Sequence, residues 1–81
     1  MFFTYVLYSP NFKKFYKGQT NNLKTRLKQH NSGKVKSTKS YRPWEIVYYE
    51  EFDTREQALQ REQYFKSGAG RRFLKMKIKL R

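Results

Sequence analysis

Phe2-Phe3-Thr4-Tyr5-Val6-Leu7-Tyr8-Ser9, then Pro10-Asn11, then the run from Phe12 to Gly18, is the stretch that decides the fold. The first run is aromatic and β-branched with almost no polar interruption, which predicts a strand buried on both faces. Pro10-Asn11 ends it, and the short polar connection to the second run predicts an antiparallel hairpin. The rest of the chain has to cover that hairpin. Asn21 or Asn22 offers a helix N-cap, Leu23 and Leu27 mark one apolar side of a helix to about His30 or Asn31, and Gly33 fits just past its end. Residues 32–42 form a basic loop of low hydrophobicity, closed by Pro43, and are expected to order only on a partner. Trp44 to Phe52, built around Ile46-Val47-Tyr48-Tyr49, predicts a third strand. Thr54-Arg55-Glu56-Gln57 matches a capping box, so a helix is expected over 55–66. Ser67-Gly68-Ala69-Gly70 reads as a break before a last basic helix from Arg71 to about Lys79. The order gives an α+β class: a small three-stranded antiparallel sheet flanked by three helices, one domain over residues 1–81.

Composition narrows the function. With 81 residues the core must be thin. Leu, Ile, Val and Phe account for only 18 of them, so the fifteen aromatics carry much of the burial. No cysteine is present, which excludes disulfides and thiolate metal sites and points to a cytoplasmic location. No apolar run approaches the ~20 residues of a membrane span, and no segment reads as an amphipathic membrane helix, so no membrane partner is expected.

Nineteen Lys and Arg stand against six acids, a net charge of +13. Residues 1–44 hold ten of the cations and no acid, while all six acids fall within residues 45–62. Such a field concentrates polyanions and releases their counterions on binding, so nucleic acid is the expected partner. Composition does not choose DNA over RNA, and the oligomeric state is open.

Three side chains stand out by position. At 100° per residue Ala58 and Phe65 lie within about 20° of each other and Leu59 at about 100°, and Glu62 falls between them at about 40°, a carboxylate within an apolar stripe. It either pairs with an Arg at the core edge or has a chemical role, because desolvating it unpaired is costly. Arg26 and His30 lie beside the apolar side set by Leu23 and Leu27. The arginine's fork suits a phosphate, and the single histidine serves either as an acid/base or as a local hydrogen-bonding group. No Cys/His cluster, phosphate loop or Ser/His/Asp set is legible.

Phe3-Thr4-Tyr5, followed eleven residues later by Tyr16-Lys17-Gly18, resembles the GIY-YIG signature. Arg26 follows the second tyrosine by ten residues and His30 follows by four more, and Glu62 matches the family's late glutamate. Thr20 to Lys34 and Thr38 to Glu50 are similar to the short stand-alone members, and the likeness runs from about residue 3 to 76. The chain departs from the signature at Phe3, Thr4 and Lys17, and has no clear counterpart of a late polar residue found in some members. The resemblance implies the same α+β fold and a divalent-metal-dependent endonuclease, similar to the N-terminal domain of the excision-repair subunit UvrC. Carried across, Glu62 is the ligand of Mg²⁺ or Mn²⁺, Tyr5 and Tyr16 are the catalytic tyrosines, Arg26 clamps phosphate, and His30 is an acid/base or positioning partner. The general base stays open among Tyr5, Tyr16 and His30. Arg26 and Lys17 are expected to lower the tyrosines' pKa values. Lys17, Lys34, Lys36, Lys39 and Arg42 are expected to follow the nucleic-acid backbone, DNA ahead of RNA, in repair or recombination. The alternative is a basic DNA- or RNA-binding module that kept the nuclease scaffold without cutting.

Overall fold

The structure, a computed structural model, describes residues 1–78. Strand β1 (Phe2–Ser9) lies at the centre of an antiparallel sheet, between β2 (Lys14–Thr20) and β3 (Glu45–Phe52). Its central place explains its unalternating sequence: Thr4, Tyr5, Val6 and Leu7 are all buried. The expected hairpin forms, with Tyr5 opposite Gly18 and Val6 opposite Lys17. The second strand starts at Lys14 rather than Phe12, because the Phe12 amide closes a turn onto the Ser9 carbonyl and Lys13 takes a left-handed φ of 53°. The third starts at Glu45, one residue later than the sequence suggests, and a register irregularity falls opposite Val6 and Leu7.

The pleat sends Tyr5 and Leu7 to one face and Thr4 and Val6 to the other. On the first face, helix α1 (Leu23–Asn31) brings Leu23 and Leu27 against Tyr5, Leu7 and Trp44. Asn22 caps α1 by accepting from the Thr25 amide, and Gly33 follows with a φ of 84°. On the second face, helices α2 (Arg55–Lys66) and α3 (Gly68–Lys77) enclose Val6, Phe65 and Leu74, and Thr4 Oγ1 donates to the Ala58 carbonyl at 2.7 Å. Thr54 and Gln57 form the expected capping box. Leu59 is not in the buried stripe; Ala58 and Phe65 are, and Leu59 is 40% exposed.

Two other expectations are corrected. The expected break falls at Ser67 alone, which ends α2 at Lys66, and the last helix starts at Gly68 rather than Arg71, because Ser67 accepts from the Gly70 amide and turns the glycines into the first turn of α3. That helix ends at Lys77, short of the expected Lys79, with Ile78 in extended conformation as its cap; Lys79 itself lies outside the described residues. The basic loop is folded rather than loose. Thr38 is buried, its carbonyl accepts from Trp44 Nε1 at 2.8 Å, and Asn31 pairs with the Trp44 backbone in both directions. A single 3-10 turn spans Lys39–Tyr41, and Ser9 Oγ donates to the Tyr41 carbonyl. Among the described residues no helix is long and apolar enough to cross a membrane.

Candidate active site

The site begins with a glycine. Opposite Tyr5 on the edge strand, Gly18 leaves room for the phenol to lie across β2, where a Cβ would fall 2.6 Å from Tyr5 Cζ. The Tyr5 hydroxyl thereby reaches His30 Nε2, in the last turn of α1, at 3.0 Å. His30 Nδ1 lies 2.7 Å from Thr38 Oγ1, whose own hydroxyl is 3.3 Å from the Val35 carbonyl. If Thr38 donates to that carbonyl, Nδ1 carries the proton and Nε2 accepts from Tyr5, an assignment that satisfies every atom of the chain. Tyr16 sits beside this chain, its ring 5.0 Å from the imidazole and 6.4 Å from Tyr5. It is half-buried, whereas Tyr5 is 2% exposed and His30 is fully buried.

Arg26, one turn before His30, donates from Nη1 to Gln29 Oε1 at 2.9 Å, and its guanidinium acts on both phenols. Among the described residues it has no carboxylate partner. It also faces a polar hollow of about 300 Å³ shared with Arg55. Burial pushes the Tyr5 phenol up to about 12, with Arg26 acting against the shift. The expectation that nearby cations lower this tyrosine is therefore corrected: desolvation outweighs them. Burial, then Arg26, lowers the His30 imidazole to about 4, so it is neutral at pH 7.

Lys17 is not part of this group. Its partner Val6 places it on the face of α2 and α3, where burial, then Arg71 and Lys66, lower its amine. Glu62 approaches from that same opposite layer. Its carboxylate meets Lys66 Nζ at 2.9 Å, the side chain is 15% exposed, and its charge is felt by Tyr5. Tyr5, Tyr16, Arg26 and His30 thus form one packed group, and Glu62, carried by α2, acts on Tyr5 through its charge and takes its hydrogen bond from Lys66 instead. Lys66, rather than an arginine, is the partner of Glu62.

The donor set can be tested against a divalent metal. No group of three or more His, Cys, Asp or Glu is present among the described residues, and Glu62 is the one carboxylate acting on Tyr5. A hard ion that keeps most of its water and takes substrate phosphate fits one carboxylate, provided that Lys66 shares it.

Lys34, Lys36, Lys39 and Arg42 are all exposed on the folded loop. Arg42 also fastens that loop, donating from Nε to the Lys39 carbonyl at 2.7 Å and packing over Gly33. Thr38 and Gln29 are site partners that the sequence reading missed. Thr38 carries no sequence signal, since only the loop fold brings it to His30. Lys66 does, standing four residues after Glu62.

The sequence model of the GIY-YIG catalytic domain matches residues 1–77. A UPF0213 protein from Pediococcus acidilactici is 36% identical over 91% of this chain and 78% of its own length. The UPF0213 protein YazA of Bacillus subtilis is 49% identical over 64% of this chain, a match that spans about half (54%) of that relative. The solution structure of a UPF0213 protein from Bacillus halodurans superposes with a TM-score of 0.55 at 29% identity, over 94% of this chain and 84% of that one. With 77 of its 81 residues matched, the chain belongs to the GIY-YIG family of nuclease domains.

Proposed function

We propose that residues 1–81 form a single nuclease domain, a divalent-metal-dependent endonuclease that hydrolyses phosphodiester bonds in DNA. Mg²⁺ or Mn²⁺ is the ion, and repair or recombination in the cytoplasm is the setting. The observation that carries this reading is an arginine without an acidic partner among the described residues, set beside two tyrosines and a neutral buried histidine. An anionic phosphate supplies the partner that Arg26 lacks.

Each residue then has a role. Arg26 clamps the non-bridging oxygens and stabilises the charge that develops on them. Tyr16, the more accessible phenol, faces the attacking water and accepts or relays its proton. His30 has both nitrogens engaged and no exposed surface, so it acts as a positioning residue that orients Tyr5. Tyr5 donates to His30 and presents its oxygen to Arg26. Glu62 would hold the ion, which supplies charge neutralisation and an acidified water when bound. Lys34, Lys36, Lys39 and Arg42 follow the backbone on the α1 side, and Lys17 does so on the α3 side.

The test is incubation of supercoiled plasmid and branched DNA with Mg²⁺, Mn²⁺ or EDTA. The wild type should cut only with the ion, Arg26→Ala should lose about 100-fold, and Glu62→Gln should lose ion-dependent cleavage while still binding DNA. Cleavage by folded Glu62→Gln at the wild-type rate would sink the metal assignment. The second reading, a binding module, is favoured by the Lys66 ammonium already seated on Glu62 and by the raised Tyr5. It prevails if the wild type binds every substrate and cuts none.

A further inference from the structure

Beside β2, on the face opposite Tyr5, lies a second cleft of about 540 Å³. Its floor is apolar, made of Phe15, Leu74 and Ile78, and its rim carries Lys17, Arg71 and Lys75. Phe15 is 43% exposed, so its ring is open to a ligand, and it is held by the Tyr8 ring at 4.9 Å. The rim cations have no acid among them: the two ion pairs of the described residues are Arg61–Glu50 and Lys66–Glu62. Crowding is evident at Lys17, whose amine is lowered by burial and by Arg71 and Lys66.

Apolar floor and cationic rim make opposite demands, which restricts the occupant. A duplex presents phosphates but keeps its base faces stacked inside, so it satisfies the rim and leaves Phe15 bare. A fatty chain satisfies the floor and offers one charge to several cations. An unpaired nucleotide satisfies both, because its base stacks on an aromatic ring while the flanking phosphates meet Lys and Arg. The volume lies within the range of small-molecule clefts. The rim also lies within reach of the charge on Lys66, the partner of Glu62, since that ammonium acts on Lys17.

We infer that this cleft receives an unpaired nucleotide of the substrate strand, with its base on Phe15 and its phosphates on Lys17, Arg71 and Lys75, so that the substrate class is DNA with a single-stranded segment. The inference rests on the nucleic-acid reading above and specifies its substrate.

The experiment measures binding in EDTA, where no cleavage occurs, so it is independent of whether the protein cuts. Anisotropy of labelled oligo(dT) and of a blunt duplex of equal length is compared for wild type, Phe15→Ala and Phe15→Trp. The wild type should prefer the single strand. Phe15→Ala should weaken oligo(dT) by about tenfold and the duplex by less than twofold. Phe15→Trp should keep the affinity and show emission quenched on adding oligo(dT), over the constant background of buried Trp44. Arg72→Ala, on the same rim, should weaken both ligands and flatten the salt dependence. Equal losses for strand and duplex in folded Phe15→Ala, or no quenching in Phe15→Trp, would overturn the inference. So would tighter, Phe15-dependent binding of a Glu-rich amphipathic peptide, which would make the cleft a protein-docking site. Absence of binding to any oligonucleotide by the wild type would instead sink the nucleic-acid reading itself.

Discussion

Arg26 and Arg61 sit on opposite faces of one sheet and are treated in opposite ways. Arg61, on the α2–α3 face, donates from Nε to Glu50 Oε1 at 2.7 Å, and its guanidinium lies 4.7, 5.1 and 4.8 Å from the ring centres of Tyr64, Phe65 and Phe73. Burial alone would raise the Glu50 carboxyl, but hydrogen bonds from Arg61 and Tyr48 hold it below its usual value. That arginine is consumed by the scaffold, paired and caged. Arg26 receives only the neutral amide of Gln29, and its other neighbours are uncharged phenols and a neutral imidazole. An arginine kept away from acids projects an uncompensated field, which is what phosphate recognition requires. On the α2–α3 face the core arginine Arg61 is spent internally, and on the face that carries the site Arg26 is left open.

The largest effects should come from the two glycines that the faces depend on. At Gly70 a Cβ would collide with the Tyr64 carbonyl, where α2 and α3 meet backbone to backbone. Gly70→Ala should cost about 3 kcal/mol, read in a melting curve as a fall of roughly 12 °C or more. At Gly18 the obstacle is the Tyr5 side chain, so Gly18→Ala should turn that ring away from His30. It should cost about 1–2 kcal/mol and remove cleavage from a protein that still folds. Equal melting temperatures for the two variants, with cleavage kept in Gly18→Ala, would break the contrast between a scaffold face and a site face.

An effect that appears only on acidification comes next, and its sign follows from His30. The folded imidazole is held at about 4, below the ordinary 6.5. Between those values the unfolded chain binds a proton that the folded chain refuses, so stability is complete above pH 6.5 and falls as pH drops toward 4. The full loss is on the order of 3 kcal/mol. His30→Asn should be less stable at pH 7 yet lose the slope above pH 5, where carboxylates contribute little. An unchanged slope in that variant would mean that the imidazole titrates normally and that the α1 face does admit charge.

Much of this was legible in the sequence because it is local. The aromatic run of β1, the Asn22 and Thr54 caps, and the Leu23/Leu27 stripe each carry a short-range signal. The resemblance to the GIY-YIG signature, rather than spacing by itself, pointed to Tyr5, Tyr16, Arg26 and His30 together. What was not legible depends on chain reversal. Thr38 becomes the partner of His30 only after Trp44 and Asn31 pin the loop, and low hydrophobicity disguised that loop as mobile. Ser67 marks the break that the sequence announced but hid the start of α3, because its hydroxyl cap draws the two glycines into the helix's first turn. Helical phase placed Glu62 correctly beside Ala58 and Phe65, but it could not tell that α2 covers the face opposite α1.

That opposition sets the smallest prediction. Glu62 touches Lys66 through a pair four residues apart whose lysine is exposed, a contact worth only ~0.3–0.5 kcal/mol. Lys66→Met should therefore move the melting temperature by no more than about 2–4 °C. Its effect on ion use should be larger than its effect on stability. The ammonium competes with a cation for the same carboxylate oxygen, so its removal should lower the Mg²⁺ concentration giving half-maximal cleavage severalfold. DNA affinity should fall slightly at the same time, since one cation leaves the cluster of Lys17, Lys66 and Arg71, with the salt slope lower by about one. Opposite movements of ion requirement and DNA affinity would separate an anchor for the ion from a simple loss of positive charge. An unchanged ion requirement, with only the affinity reduced, would place Lys66 in the nucleic-acid surface alone and leave Glu62 a surface acid of the scaffold.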